Sequence, residues 1–268
     1  MTENLLRNWA FCDGMHVQDG IPQIGVPDEW HLDWLDNQPF PGIGAGLVAY
    51  RPEAVVVDLY SVSPGDQQEF FYLNGESTRY AWKIFKGSAP LYIAASQEVH
   101  GLTVGQQYKF TMWAYADIVE SYVGGKHFSN DVWAAEARAG IGAANGAWPA
   151  SADGDVEWGK WHNINNGLLI FGEYRPVTVE FVAGAPDVKV WFEAKAKWGL
   201  PNNGWWLWGA ELEAVGGEIP PAPPTPPTPP TPPTPPPSGV VELGPESLAF
   251  IRSEADRIIA RILEALGS

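Results

Sequence analysis

Two segments of the chain, residues 108–115 and 188–195, alternate between two kinds of side chain. A period of two is typical of a β-strand, because successive side chains point to opposite faces of a sheet. In each segment every second residue is apolar, which predicts that this side of the strand faces the core. The other set is aromatic and polar: Lys109, Thr111, Trp113 and Tyr115 in the first segment, and Lys189, Trp191, Glu193 and Lys195 in the second. We therefore expect two strands that present aromatic and hydrogen-bonding groups away from the core.

Further short segments before residue 217 are rich in β-branched and aromatic residues, and turn sequences such as Ser63-Pro64-Gly65 and Asn74-Gly75 separate them. These segments predict strands at 54–60, 68–73, 91–96, 138–142 and 177–182. No part of this region has a long helical period. The sequence therefore predicts a single all-β domain over residues 1–216.

The composition changes at Pro220, where residues 220–237 read PPAPPTPPTPPTPPTPPP. Proline has no backbone N–H, so helix and sheet are excluded there. Polyproline II is the conformation that this composition favours, and at ~3.1 Å per residue the segment would reach on the order of 55 Å. We interpret residues 217–239 as a stiff linker, with a disordered tether as the alternative.

Residues 240–268 follow the linker and have a helical pattern. Apolar residues spaced alternately by three and four positions form a coiled-coil seam: Leu248, Ile251, Ala255, Ile258, Ile262 and Ala265. A single helix beyond a stiff linker has no surface of its own chain against which to bury this seam. The pattern predicts a homo-oligomer or docking to another protein. An isolated helix that frays or folds back is the alternative.

The charge and composition of the chain argue against several functions. There are 16 Lys and Arg against 32 Asp and Glu, a formal charge of −16, which disfavours nucleic acid and anionic membranes as partners. No apolar run approaches the ~20 residues that cross a bilayer, and the chain given begins without the features of a signal peptide. The one cysteine, Cys12, cannot form an intrachain disulfide. Fourteen tryptophans exceed the needs of one core, so we expect some at a surface.

Several short motifs resemble those of jelly-roll carbohydrate-binding modules. The motifs are, in chain order, Asn4-Leu5-Leu6-Arg7-Asn8 with Phe11, Val26-Pro27 followed by Trp30, Trp82-Lys83-Ile84-Phe85, Gln97-Glu98-Val99, the strand Tyr108 to Trp113, and Lys197-Trp198 with Asn202-Asn203. The resemblance spans residues 4–215. It implies an all-β, two-sheet antiparallel jelly-roll sandwich that binds glycans on a sheet face or at loop tips, without catalysis.

A glycan site needs aromatic rings and hydrogen-bonding groups together, because a pyranose has an apolar C–H face and several hydroxyls. We predict that these residues bind a glycan: Trp113, Tyr115, Asp117, Trp191, Glu193 and Lys195 on one shared face, with Trp34 and Trp206 in addition. The alternative is that loops cover Trp113 and Trp191, so that both only pack. Residues 205–208 alternate between faces, so at least one of their three tryptophans should lie in the core.

The resemblance also implies a structural calcium ion, which such modules commonly bind through an acidic residue near the start and an Asp pair in the last strand. Here Asp13 and Glu211 are the acidic residues nearby, and Trp208-Gly209-Ala210 stands where the Asp pair would be. Calcium needs ~6–8 oxygen ligands. We therefore predict no cofactor, with one structural calcium as the exception that the resemblance leaves open.

The sequence contains no nucleophile-elbow, metalloprotease or phosphate-loop motif, and its five histidines stand apart from one another. A glycosidase needs only two carboxylates at the right separation, which a sequence does not exclude. The acidic segment 153–157 lacks the other ligands of a calcium loop, and we interpret it as a solvated turn. We predict that the protein is not an enzyme.

The three predicted parts of the chain are a glycan-binding head (residues 1–216), a stalk (217–239) and an associating helix (240–268). A Pro-Thr linker is typical of secreted polysaccharide-binding proteins, and a phage virion protein needs no signal peptide because it leaves the cell by lysis. We expect a phage virion protein or surface appendage that recognises a host glycan, placed outside the cell or on the virion surface. The alternatives are a structural virion or filament subunit whose head binds protein, and an accessory domain of a polysaccharide hydrolase.

Overall fold

The computed structural model of the chain describes residues 4–41, 46–70, 79–148 and 156–216. The chain divides into two units, Met1–Ala222 and Pro223–Ser268, and all of the described residues belong to the first. The predicted linker, the predicted helix with its seam, and most of the predicted acidic turn at 153–157 lie outside the described residues. Their conformation and the association of the helix stay predictions.

The described residues form sixteen β-strands, one α-helix and two short 3₁₀ turns. The strands are β1 (Met15–Val17), β2 (Gly25–Pro27), β3 (His31–Trp34), β4 (Gln38–Pro39), β5 (Val48–Ala49), β6 (Glu53–Asp58), β7 (Tyr80–Lys86), β8 (Leu91–Val99), β9 (Gln107–Ser121), β10 (His127–Phe128), β11 (Ala135–Ala143), β12 (Val156–Trp158), β13 (His162–Asn163), β14 (Tyr174–Val182), β15 (Val188–Ala196) and β16 (Asn202–Ala214). The helix is α1 (Pro64–Phe70), and the 3₁₀ turns are Gln18–Gly20 and Leu59–Ser61. None of these helices is long and apolar enough to cross a membrane.

Two antiparallel sheets hold most of the strands. In the first, which we call the β9 sheet, the order is β9, β16, β7 and β6, and both β10 and β14 pair with the other edge of β9. In the second, the β15 sheet, the order is β11, β15, β8 and β3, and both β12 and β13 pair with the other edge of β11. Residues of both sheets share one hydrophobic cluster. The predicted all-β, two-sheet antiparallel sandwich is therefore confirmed.

The core lies between the two sheets and is built from alternate residues of their strands. The ring edge of Phe192 on β15 meets Trp205 on β16, with centroids 6.0 Å apart and ring planes at 74°. This contact joins the two sheets through the core. Trp205 has no exposed surface, which confirms that one of the three tryptophans at 205–208 is a core residue. Trp30 is also buried.

Four of the predicted strands, at 54–60, 91–96, 138–142 and 177–182, correspond to β6, β8, β11 and β14, with different ends. The strand predicted at 68–73 is wrong over its described residues, because α1 extends to Phe70. Ser63 caps this helix: the Asp66 N–H donates to Ser63 Oγ at 3.3 Å, and the hydroxyl of Ser63 donates to Asp66 at 2.8 Å. Pro64 suits the first helical position, where its missing N–H has no cost. The pair Ser63-Pro64 therefore starts a helix rather than a hairpin turn.

Candidate functional site

A cleft of about 410 Å³ opens on the face of the β9 sheet that points away from the core. Small-molecule sites in proteins occupy roughly 300–1,000 Å³, so the volume suits a small ligand or one unit of a larger one. The residues that line it are Val55, Val57, Lys83, Phe85, Asp117 and Trp206 from the sheet, and Val62, Asp66, Glu69, Phe70, Tyr122 and Lys126 from α1 and adjacent segments. We call this the β9 cleft.

Trp206 is the central aromatic residue of the β9 cleft. It follows the core residue Trp205 on β16, and the alternation of the strand turns its side chain to the outer face. The ring of Phe70, at the end of α1, stacks on the indole of Trp206 with centroids 4.0 Å apart and planes at 23°. Two rings at this distance leave no room for a ligand between them. One face of the Trp206 ring is therefore covered by the protein itself.

A cation and two carboxylates lie beside Trp206. Lys126 Nζ is 2.7 Å from Asp117 Oδ1 and 2.5 Å from Glu69 Oε1. The hydroxyl of Tyr115 also donates to Glu69, and the indole N–H of Trp206 donates to Asp117 at 3.4 Å. Burial by itself lowers the pKa of Lys126, but the two carboxylates outweigh burial and hold this pKa above its usual value. Lys126 therefore stays charged and compensates the charge of the buried Asp117.

Lys83 is the second cation of the β9 cleft, and its environment is different. Its Nζ lies 4.4 Å from the ring centroid of Phe85 and 4.8 Å from that of Trp206. No carboxylate among the described residues forms an ion pair or hydrogen bond with Lys83. Burial lowers its pKa, and the charge of the more distant Asp117 offsets only part of that effect. The ammonium group is therefore partly dehydrated and has N–H donors to offer to a ligand.

Phe85 and Tyr122 supply aromatic surface that remains open in the β9 cleft. Phe85 is half-buried beside Lys83, and Tyr122 is 56% exposed. A ligand with one apolar face and several hydroxyl groups matches this combination, since its apolar face packs on the rings while its hydroxyls meet Lys83. A purely apolar ligand would leave the dehydrated ammonium group without an acceptor.

Two of the predicted glycan-binding residues, Asp117 and Trp206, line the β9 cleft, and a third, Tyr115, contacts two of its lining residues, Glu69 and Phe70. Tyr115 is buried under α1, where its ring and that of Phe70 form a T-shaped pair with centroids 5.2 Å apart. Trp113 lies on the same outer face of β9 but further along the strand, opposite Pro176 of β14. It is half-buried and does not line the cleft.

Trp191, Glu193 and Lys195 do not share this face, so the prediction of one shared face is wrong. They lie on β15, and β9 and β15 belong to different sheets, whose outer faces point in opposite directions. Trp191 is only 1% exposed and packs with Trp148 and Trp158. For this residue the structure supports the alternative interpretation, in which neighbouring segments cover the ring.

Glu193 and Lys195 are held by other side chains on the outer face of the β15 sheet. Glu193 accepts hydrogen bonds from three of them, those of Tyr92, Arg138 and Trp148. Lys195 forms an ion pair of 3.2 Å with Glu136. Burial lowers the pKa of Lys195, and Glu136 offsets part of that effect. Both predicted binding residues are thus buried and engaged within the protein.

Trp34 and the residues considered for calcium lie apart from the β9 cleft. Trp34 is on β3 and packs, half-buried, against the core. Asp13 and Glu211 are both exposed. No group of three or more His, Cys, Asp or Glu side chains within the described ranges is arranged to hold a metal ion. The calcium site that the resemblance implies at Asp13 and Glu211, and the cofactor content of the protein, therefore stay predictions.

The sequence did not predict seven of the charged or aromatic residues that line the β9 cleft: Asp66, Glu69, Phe70, Lys83, Phe85, Tyr122 and Lys126. The helix start at Ser63-Pro64 was a readable sign of α1, which carries the first three. The alternation of residues 82–85 was another, because it places Lys83 and Phe85 opposite the core residues Trp82 and Ile84. Lys126 has no such local sign, since its partner Glu69 is 57 positions away.

No protein-family model matches the sequence, and a search of curated proteins finds no match. Solved structures do resemble the fold. The module TmCBM61 in complex with β-1,4-galactotriose has 10% identity and a TM-score of 0.44, over 80% of this chain and 100% of that one. The CBM22-1 xylan-binding domain of Xyn10C from Paenibacillus barcinonensis has 7% identity and a TM-score of 0.39, over 81% and 97%.

The enzymatically active domain of tailspike protein 4 from bacteriophage CBA120 is a third similar structure. It has 9% identity and a TM-score of 0.43, over 79% of this chain and 21% of that one. Carbohydrate-binding modules, the class that the sequence motifs resemble, are thus among the similar structures. Identities and TM-scores this low do not assign a function, which has to be argued from the cleft itself.

Proposed function

We propose that residues 1–216 form a non-catalytic carbohydrate-binding domain and that the β9 cleft binds one sugar unit of a glycan. The observation that carries this proposal is the combination, in one cleft, of open rings at Phe85 and Tyr122 with the partly dehydrated ammonium group of Lys83. A sugar meets both, because its C–H face packs on a ring and its hydroxyls accept from N–H groups.

The carboxylates of the β9 cleft favour binding over hydrolysis. Glycosidases place two carboxyl groups on opposite sides of the bond that they cleave, and one of the two must deliver a proton. Asp117 and Glu69 instead contact the same ammonium group, that of Lys126, and Glu69 also accepts from Tyr115. The third carboxylate that lines the cleft, Asp66, accepts from the hydroxyl of Ser63 in the cap of α1. We expect a bound oligosaccharide to be recovered intact after long incubation, with no new reducing ends.

A glycan array with the full chain tests the proposed function. The oligosaccharide that binds is then titrated into the Phe85→Ala variant, and we expect its affinity to fall about tenfold or more, as for a central aromatic contact. Tyr50→Ala is the matched control, because Tyr50 is an exposed aromatic residue outside the cleft. The absence of any bound glycan, or equal binding by both variants, would contradict the proposal.

The setting that we propose is a phage virion protein or surface appendage that displays the domain on the Pro-Thr stalk, outside the cell or on the virion surface, and recognises a host glycan. The support is the sequence of residues 217–239 and the helical pattern that follows. A structural virion or filament subunit and an accessory domain of a polysaccharide hydrolase are the competing settings. Neighbouring genes discriminate, because capsid genes favour the first two and hydrolase genes the third.

Association through the C-terminal segment is the last part of the proposed function. The seam of Leu248, Ile251, Ile258 and Ile262 would join several chains, and several weak sugar sites on one particle raise the avidity for a surface by about 10²-fold or more. We expect light scattering to show a homo-oligomer, a trimer rather than a dimer. The double variant Ile258→Asp with Ile262→Asp should be monomeric with a folded head. A monomeric unmutated chain at micromolar concentration would refute self-association.

A further inference from the structure

Two of the most exposed aromatic side chains of the described residues lie next to each other at one end of the β15 sheet. Trp133 is 52% exposed and Trp198 is 42% exposed. The β11–β15 pairing ends with Ala135 opposite Ala196, and it continues outward through a hydrogen bond of 2.8 Å from Lys197 N to the carbonyl of Ala134. Trp133 and Trp198 follow one position further along the two segments, and Trp133 lies in the turn that the N–H of Ala134 closes on the carbonyl of Asp131. The two tryptophans are therefore neighbours just beyond the strand ends, and both bond Asp131.

A single carboxylate orients both tryptophans. Asp131 Oδ1 accepts the backbone N–H of Trp133 at 2.9 Å, and Asp131 Oδ2 accepts the indole N–H of Trp198 at 2.5 Å. The backbone carbonyl of Asp131 also accepts the N–H of Ala134 at 3.0 Å. A hydrogen bond thus fixes the Trp198 ring, whereas the bond of Trp133 fixes the backbone from which its ring projects.

The loop that carries Trp198 is itself fixed. The fully buried amide of Asn203 donates to the carbonyl of Trp198 at 2.6 Å and to that of Ala89 at 2.8 Å. Gly199 approaches the neighbouring loop so closely that a Cβ there would lie 3.1 Å from the carbonyl oxygen of Ser88. Because the loop is held on both sides, little conformational entropy remains to be lost when a ligand contacts the Trp198 ring.

The rings of the pair are partly exposed. Neither Trp133 nor Trp198 makes an aromatic or cation–π contact with any other described residue. The indole N–H of Trp133 has no hydrogen-bond acceptor among the described residues, and Asp131 has lone pairs beyond the two bonds it accepts. The pair therefore offers two partly exposed rings, one free donor and one acceptor at the same place.

We propose that Trp133 and Trp198, with Asp131, form a second carbohydrate site that takes the C–H face of a pyranose. The half-buried carboxylate of Asp131 disfavours a purely apolar partner surface, which would take water from its remaining lone pairs without supplying a further donor. A sugar hydroxyl satisfies it. None of the three residues lines the β9 cleft. The evidence for this second site is therefore independent of the evidence for sugar binding in the β9 cleft. A domain with two sites can bind one glycan chain at two points.

The test follows the indole N–H signals of the ¹⁵N-tryptophan-labelled full chain by NMR. Cellohexaose, xylohexaose, mannohexaose, chitohexaose, β-1,4-galactotriose and a galacturonate oligomer are added one at a time. The signals are assigned from single Trp→Phe variants. At least one of these sugars is expected to shift the signals of Trp133 and Trp198 together and saturably. Failure of all six to move either signal would overturn the proposal.

Variants separate this site from the β9 cleft. Trp133→Ala and Trp198→Ala should each weaken the binding seen at this pair by about tenfold. Trp9→Ala is the matched control, because Trp9 is also 42% exposed but does not contact Asp131. A shift confined to Trp206 would support the β9 cleft and reject the second site. A shift confined to Trp133 and Trp198 would do the reverse. Equal losses from Trp9→Ala and Trp198→Ala would also reject the pair as a site.

Discussion

The ring of Phe70 lies parallel to the indole of Trp206 at a centroid distance of 4.0 Å. This stack joins the short helix α1 to the outer face of the β9 sheet. It also decides which surfaces of the cleft can meet a sugar. Trp206 is covered on one side, so Phe85 and Tyr122 remain as the open rings, with Lys83 between Phe85 and Trp206.

Phe70→Ala tests the structural part of this stack. The ring is buried, so its removal should cost about 3 kcal/mol of unfolding free energy, the lower end of the range for a buried Phe→Ala change. Tyr122→Ala removes an exposed ring from the same cleft and should cost less than about 0.5 kcal/mol. Urea unfolding of the two variants gives both values. Equal, small losses would mean that α1 does not pack on the sheet.

Lys126→Met tests the charge balance beside Trp206. The substitution leaves Asp117 buried without the ammonium group that lies 2.7 Å away, and breaking a buried pair in this way typically costs about 3 kcal/mol or more. Lys126→Arg keeps the charge and should recover a large part of the loss. Urea unfolding at pH 7 measures the stability of both variants. Equal destabilisation by Met and by Arg at this position would contradict the role given to the charge of Lys126.

Lys83→Met should separate binding from stability. The folded-state pKa of Lys83 is lowered by burial, so the charged form is less favourable in the folded than in the unfolded chain. At neutral pH this charge therefore costs stability, and stability should rise as the pH increases through the lowered folded pKa toward the ordinary value of 10.5. The Met variant should be at least as stable as the unmutated chain and lack this alkaline rise, yet bind the array-positive glycan more weakly. A variant that is destabilised and binds normally would contradict the role given to Lys83.

The two-sheet sandwich could be predicted from the sequence because its information is local. The alternation along β9 and β15 gives the core face of each strand, and the step from Trp205 to Trp206 gives a buried residue followed by an outward one. The assignment of strands to sheets is not local. β9 pairs with β16 and β15 pairs with β8, each about 90 residues away. Nothing in either segment indicates that their outer faces point in opposite directions.

The sequence also did not reveal which segments cover the outer face of each sheet. Trp191 has the alternation of a surface residue, but Trp148 and Trp158 from other segments bury it. Phe70 covers Trp206 in the same way from α1. Alternation predicts which side of a strand faces away from the core, whereas the exposure of that side depends on contacts between distant segments. Of the predicted residues, Asp117 and Trp206 line the candidate site, whereas Trp191, Glu193 and Lys195 lie on the other sheet.

His162 on β13 should make the head sensitive to acid. Burial, with a smaller contribution from the charge of Lys160, lowers its pKa below the ordinary 6.5. The unfolded chain then binds a proton at higher pH than the folded one, so stability falls as the pH drops below 6.5 through the folded pKa. The urea midpoint of the unmutated chain should therefore be lower at pH 5 than at pH 7.5, and His162→Gln should make this difference smaller. The exposed His127→Gln is the control, and an unchanged difference in both variants would contradict the assignment.

The crystal structure of the head with the array-positive oligosaccharide bound tests the central claim most directly. We expect a sugar ring packed on Phe85 or Tyr122 in the β9 cleft, with a hydroxyl oxygen about 2.7–3.2 Å from Lys83 Nζ and the stack of Phe70 on Trp206 intact. A sugar bound elsewhere on the domain, with the β9 cleft occupied only by water, would contradict it.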